Sequence, residues 1–456
     1  MRRVVKVSRI RIIITIIVVV LTTLLTGCTG KEPNEIAYVV ALGIDSTDDD
    51  NYKITIQYAN TTQISGGASE SGGKAGSEIV DNVTIEAPNI YAGVGLANNI
   101  VSKSFSMSHA KLIVFSKEIA EKGVKDMIET LVRSEEIRPD VFIAVANTTA
   151  NDYLTSVNPE MEVNPAQYYQ LIYQKNQLVG IPDGQLREFF TGLYTDNYDS
   201  ILPIAGVIEG SGGNSQNDDK GQSKDSQNEG SEGSSESLDS SESKSSNEKD
   251  ENEKEKDAEK NTSKYEYDIK NYVGGETAIE KKNKAEAIGA AVFEKDKMVG
   301  ELGEVETEIC KMLKGDYTYS YLTYYNNDTP DIPITVKTTQ QKKPKYKIDT
   351  DKKTVDIELY IESDLYSLPA DYNVENKIED FERDVANYTS SACTEFINNF
   401  TKKYNSDILK LNEKVKYKFL TNNQYNWFKK NVGWSEYKFS VCTNFKVRRT
   451  GLIVRK

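Results

Sequence analysis

One histidine, His109, and four cysteines, Cys28, Cys310, Cys393 and Cys442, are the entire stock of imidazole and thiol groups in a chain of 456 residues. Any Ser-His-Asp or Cys-His mechanism would have to run through His109, and a histidine-rich zinc site is excluded. His109 stands in Ser108-His109-Ala110-Lys111-Leu112-Ile113-Val114, just ahead of an apolar run. With no nucleophile beside it, it reads as a hydrogen-bonded structural histidine at the start of a strand rather than as a lone general base. The cysteines form no C-x-x-C pair, and their spacing defines no disulfide framework. Cys310, Cys393 and Cys442 each lie in an apolar periodic setting, so all three are expected to be buried, unreactive thiols.

Other catalytic patterns fail on context. Ser241 with Lys244 and Ser246 with Lys249 match S-x-x-K, but both fall in a stretch too polar to hold a dyad in attacking geometry. Gly93-Val94-Gly95 could open a dinucleotide-binding turn, yet Asn98 stands where the third glycine belongs and the motif lies inside a helical run. Close helix packing explains these glycines better. The acidic turn Ser46-Thr47-Asp48-Asp49-Asp50-Asn51 lacks the glycine and distal glutamate of a calcium loop. These failures imply no enzyme activity, no metal and no cofactor. Seventy acids against 56 lysines and arginines give a net charge of -14, which repels phosphate backbones and argues against nucleic-acid binding.

Cys28 is different, because its surroundings carry a chemistry of their own. Arg2, Arg3, Lys6, Arg9 and Arg11 precede an apolar run from Ile12 to Leu25, which is short for a bilayer span and suited to a signal-peptide core. The run ends in Leu25-Thr26-Gly27-Cys28, and small residues before a cysteine resemble the lipobox of bacterial lipoproteins. Residues 1–27 are therefore expected to be removed. Cys28 would carry a diacylglycerol thioether and an acylated amino terminus, and two or three acyl chains suffice for stable anchoring to a bilayer.

The elements follow from periodicity. Ile36 to Asp45 and Tyr52 to Ala59 read as a hairpin. After a Ser/Gly-rich loop from Ser65 to Ser77 the pattern alternates: strand Val83 to Glu86, helix Pro88 to Val101, strand Lys111 to Phe115, helix Lys117 to Arg133, strand Val141 to Val145. Short helices are expected at Ala150 to Val157 and Pro165 to Asn176. From Glu209 to Lys264 only Leu238 and Ala258 are apolar, and 16 acids face 8 bases, so this segment reads as a disordered acidic insertion. Beyond it come a hairpin, Ile288 to Phe293 with Met298 to Leu302, and a helix from Glu304 to Leu313. Strands follow at Thr335 to Thr339 and Thr354 to Ile361. The longest helix is marked by Val374, Ile378, Phe381, Val385, Tyr388, Ala392, Phe396 and Phe400. A helix Asp407 to Phe419, the aromatic stretch Tyr425-Asn426-Trp427-Phe428 and a strand Tyr437 to Val447 close the pattern.

Several stretches together resemble the Ger(x)C spore-germination lipoproteins, the C subunits of nutrient germinant receptors. They are Glu35-Ile36-Ala37 through Ala41-Leu42-Gly43-Ile44-Asp45, His109 through Ser116 with Gly123, and Arg133-Ser134-Glu135-Glu136-Ile137-Arg138. Later ones are Gly289-Ala290-Ala291-Val292-Phe293 with Lys297-Met298-Val299-Gly300, and Arg448-Arg449-Thr450-Gly451. The resemblance implies a non-enzymatic subunit on the outer face of the spore inner membrane, working with integral-membrane A and B subunits. The long insertion departs from the family pattern. The fold expected is α+β and multi-domain, with mixed β-sheets flanked by helices. Its parts are a signal peptide 1–27, an N-terminal α/β domain 28–148, a middle domain 149–325 interrupted by 209–264, and a C-terminal α+β domain 326–456. Two other classes stay open: a solute-binding lipoprotein with a concave cleft, and an anchored hydrolase using two carboxylates of perturbed pKa in one cleft.

Overall fold

Strand β1 (Ile36–Ser46) is buried over most of its length because both its edges and both its faces are occupied. It pairs antiparallel with β2 (Tyr52–Ala59), and in parallel with β4 (Ser104–Ser106) and β5 (Leu112–Ser116). The computed structural model describes residues 13–17, 35–49, 51–59, 80–158, 164–174, 180–195, 197–208, 271–277, 283–326, 329–367 and 377–450. Cys28, the Ser/Gly-rich loop, the S-x-x-K pairs and the acidic insertion lie outside the described residues.

The first sheet has the order β3-β2-β1-β5-β6-β7-β8-β9, with β4 on β1. Its further strands are β3 (Val80–Ala87), β6 (Phe142–Ala146), β7 (Ile201–Val207), β8 (Ala285–Glu294) and β9 (Lys297–Leu302). The run β1-β5-β6-β7 is parallel, whereas β2-β3 and β8-β9 close the two ends antiparallel. Parallel strands are buried on both faces and so lose the alternation of a half-exposed strand. In β5, Ile113 and Phe115 enter one core while Leu112 and Val114 enter the other. Helices α1 (Ile90–Ala97), α2 (Lys117–Lys122) and α3 (Lys125–Val132) cover the first face, and α4 (Ala150–Ser156) and α5 (Pro165–Gln174) the second. Helix α6 (Leu186–Thr195) returns to the first through Leu186 and Phe189.

The insertion leaves the sheet between two neighbouring strands. Val207 of β7 pairs with Ala285 of β8, so the ladder closes across it, and loop-closure entropy rises only slowly with the length of chain between them. The expected boundary at 148/149 falls between β6 and β7, which also pair, so the residues on its two sides share one sheet.

The second sheet has the order β10-β11-β13-β12, with β14 on β13. Its strands are β10 (Tyr319–Asn326), β11 (Thr329–Gln340), β12 (Lys345–Asp349), β13 (Thr354–Ser367) and β14 (Lys438–Arg449). Here the alternation is clean: Val355, Ile357, Leu359 and Ile361 of β13 and Phe439, Val441 and Phe445 of β14 are buried. Helix α8 (Ile378–Lys403) packs on this face, as α7 (Glu304–Lys314) packs between the sheets against Leu302 and Ile357. The whole is α+β with mixed sheets flanked by helices.

Four expectations need correction. The helix from Lys117 to Arg133 is two helices, because Gly123 takes φ +123° and Val124 N–H donates to the Asp296 carbonyl instead of continuing the ladder. The stripe of α8 runs through Thr389 and Cys393, while Tyr388 and Ala392 are half-buried; Val374 lies outside the described residues. The helix from Asp407 to Phe419 shrinks to α9 (Leu411–Val415) and a 3₁₀ turn at Lys416–Lys418, since Lys410 adopts φ +58° just before it. Cys442 is exposed: the period of two that buries Val441 and Thr443 turns it outward, whereas Cys310 and Cys393 are buried.

Candidate functional site

A concavity lies where loops of the first sheet meet the chain that follows α8. It is a cleft of about 600 Å³. Three segments build it: residues 197–200 between α6 and β7, the tight turn between β8 and β9, and residues 404–412. Helix α10 (Asn422–Asn431) and Trp434 form the outer wall.

Two aspartates hold these segments together. Asp199 accepts the Lys295 N–H at 2.8 Å on one oxygen and the Asp407 N–H at 2.9 Å on the other, and its own N–H donates to the Asp407 carbonyl at 3.1 Å. Asp407 in turn accepts the Leu411 and Asn412 N–H groups, each at 2.8 Å, which caps α9. Ser406 Oγ donates to the Phe293 carbonyl at 2.8 Å, and Asn405 Nδ2 to Glu294 Oε1 at 3.1 Å. Lys295 and Lys410 both have positive φ, and these hydrogen bonds over-determine both turns. Beneath them Phe293 meets Phe189 edge to face at 5.0 Å.

Burial pushes the Asp407 carboxyl up to about 7 despite its two N–H donors, with the nearby Asp199 adding to the rise. Asp199 is raised for the same first reason, burial, and further by Glu294. Beside the joint the Lys410 ammonium sits over the Tyr198 ring at 4.2 Å and pairs with Glu188. Trp434 Nε1–H donates to Asn412 Oδ1 at 3.2 Å, and Tyr425 O–H to Asn197 Oδ1 at 3.1 Å.

The cleft thus contains two acids of perturbed pKa, the very feature a carboxylate hydrolase would show. Their geometry assigns them another task. All four oxygens accept backbone N–H groups, so each carboxylate is engaged in pinning loops rather than aimed at a substrate. His109 is no part of this arrangement: it is exposed in the turn before β5, meets Tyr38 edge to face at 5.0 Å and, contrary to expectation, has no hydrogen bond among the described residues. Burial raises the Cys310 and Cys393 thiols to about 12, which suppresses thiolate chemistry. Gly93 packs under Ile54, where a Cβ would come within 2.6 Å, while Gly95 faces open space. Among the described residues no group of acids, cysteines or histidine could hold a metal, and no helix is long and apolar enough to cross a membrane.

What the site does provide is a rigid joint, tying the edge of one sheet to the helices that flank the other. Two family models match the chain in the same order: the spore germination protein N-terminal domain over residues 30–207 and the spore germination B3/GerAC-like C-terminal domain over 288–451. The chain belongs to the GerAC-like family of spore germination proteins. The gap between the two family domains, 208–287, contains the acidic insertion. Spore germination protein KC of Bacillus subtilis (strain 168) is 26% identical over 174 residues, 35% of this chain and 42% of that one. The putative spore germination protein YfkR of the same strain is 28% identical over 145 residues, 32% and 37% of the two chains, so these matches span well under half of either relative. The crystal structure of the GerBC protein covers 89% of this chain and 96% of that one at a TM-score of 0.47 and 15% identity.

The aspartate joint was not legible beforehand. Asn197-Tyr198-Asp199-Ser200 and Asn405-Ser406-Asp407 look like ordinary polar loops, and only the Asp407-to-Leu411 spacing hints at a helix cap.

Proposed function

We propose that this chain is the lipid-anchored C subunit of a spore nutrient germinant receptor. Held at the outer face of the spore inner membrane, it serves assembly or signal coupling with integral-membrane A and B subunits, without catalysis. The observation that carries the reading is the pair of GerAC-family domains in order behind the lipobox-like Leu25-Thr26-Gly27-Cys28. Signal cleavage before Cys28, its S-diacylglyceryl group and its N-acyl chain supply the bilayer contact. An anchor raises the effective concentration of the folded part toward embedded partners without any added contact.

Detergent-solubilised spore membranes, with this chain captured by a C-terminal tag, test the reading. Two integral-membrane proteins of one receptor should come with it in constant ratio. Recovery alone, or with the permease of an uptake system, favours a solute-binding lipoprotein instead, whose ligand would occupy the 600 Å³ cleft.

A further inference from the structure

Residues 414–430 are opposite in character to the acidic chain as a whole. Between Lys414 and Lys430 there are five lysines, Lys414, Lys416, Lys418, Lys429 and Lys430, and no aspartate or glutamate, in a chain of net charge -14. Among the described residues none of these five makes an ion pair with a carboxylate. Three are turned inward through their ammonium groups: Lys414 donates to the Leu409 carbonyl, Lys418 to that of Ile348, and Lys429 to Asn197. Lys416 and Lys430 are exposed at the rim. Acids stand near the segment: Asp407 and Glu413 act on Lys414, Asp349 lies beside Lys418, and Asp199 and Glu294 line the cleft with Lys429 and Lys430.

Apolar groups stand out from the same segment. Leu420 is 94% exposed, Tyr417 78% and Trp427 64%; the first two are the most exposed large apolar side chains among the described residues. Their exposure is built in. Thr421 caps α10 by accepting the Gln424 N–H, which makes Leu420 the residue before the cap. A leucine there ordinarily folds back onto the fourth helical residue. That residue, Tyr425, is already packed by Phe419 at 5.9 Å, and Phe419 also meets Phe428 at 4.9 Å. Leu420 is therefore displaced outward. Trp427, within α10, is 64% exposed, on the side away from the buried Tyr425 and Phe428.

We propose that the exposed Tyr417, Leu420 and Trp427, with the exposed Lys416 and Lys430 of the same segment, rest on an anionic lipid surface. The chemistry matches three features of an interfacial contact: a tryptophan and tyrosine at headgroup level, an aliphatic side chain to enter the acyl boundary, and outward lysines attracted to an anionic leaflet. A protein partner fits less well, since lysine is depleted from protein interfaces. The contact is separate from acylation at Cys28: the anchor holds the chain near the membrane, and these residues fix which side of the folded part looks toward it.

The test uses residues 29–456, which contain all fourteen strands and ten helices of the described fold and no acyl chain. The probes are vesicles of phosphatidylglycerol with phosphatidylcholine, and of phosphatidylcholine alone. At low salt the protein should sediment with the anionic vesicles at least tenfold more strongly. Trp427 and Trp434 are the two tryptophans, so in a Trp434→Phe variant the emission of Trp427 should shift to the blue and lose accessibility to an aqueous quencher on addition of anionic vesicles. Leu420→Ser with Trp427→Ser should lower binding at least tenfold at an unchanged melting midpoint, as both side chains are exposed. Failure of the wild type to bind anionic vesicles, or undiminished binding by the double variant, overturns the proposal and leaves these residues to a protein partner. Neither result touches the Cys28 anchor, whose own readout is membrane fractionation of the acylated protein.

Discussion

Replacing Cys28 by alanine is expected to remove the protein from the processed membrane fraction of sporulating cells. The expectation rests on the charged residues Arg2 to Arg11, the apolar run from Ile12 to Leu25, and the small residues Thr26 and Gly27 ahead of a thiol. Each buried methylene of an acyl chain contributes about 0.8 kcal/mol, so two chains hold a protein far more firmly than the surface contact of a few side chains. The variant should appear as unprocessed precursor or as soluble protein. A mutant that reaches the membrane in processed form at wild-type level contradicts the lipoprotein reading.

The second large effect is expected at the aspartate joint. Asp407→Ala removes the acceptor of two backbone N–H groups, those of Leu411 and Asn412, in a residue only 6% exposed. Each donor left without a partner costs about 1–3 kcal/mol, and loss of the α9 cap falls within that sum, so destabilisation of about 2–6 kcal/mol should follow. The effect depends on pH with a definite sign. Burial raises the folded-state carboxyl from its ordinary 3.8 to about 7, so folding takes up a proton between those values. Wild-type stability therefore falls as pH rises through that window, and the Asp407 contribution to the fall is complete above about pH 7. Thermal midpoints at pH 5 and pH 8 should differ by less in Asp407→Ala than in wild type, with Asp199, also raised by burial, keeping some slope in both. Equal differences in the two proteins would mean that Asp407 titrates as an exposed carboxylate.

Elements with a strong period could be read in advance: both hairpins, β5 and β6, α7, the body of α8 and the alternating β14. Failures cluster where a single backbone or edge feature decides. Gly123 breaks a helix whose apolar stripe reads as continuous, because Ile119, Met127, Ile128 and Leu131 are still buried on either side of it. Strand β12 was missed because an edge strand dressed with Lys345 and Lys347 looks like a loop, which is how sheet edges are commonly protected from pairing. Strand β10 is not among the elements expected from the sequence; it is held by Tyr324, buried against Phe381 and Tyr388. The cleft depends on contacts between residues about 100 to 200 positions apart, Asp199 with Lys295 and with Asp407, and no local pattern encodes such a meeting.

Family membership was legible from short stretches in order, none of them catalytic, and the same order is what the two matched domains display. A chain that couples nutrients to germination from a membrane tether should be needed, with its anchor, for the nutrient response. Spores lacking the gene, and spores making only a soluble form without Cys28, should be compared with wild type for release of refractile dormancy by nutrients and by a non-nutrient trigger. The nutrient response should be abolished or strongly weakened in both while the non-nutrient response is intact. A normal nutrient response in the deletion strain would contradict this reading, as would tight calorimetric binding of a nutrient by the soluble form coupled to a defect confined to uptake of that nutrient.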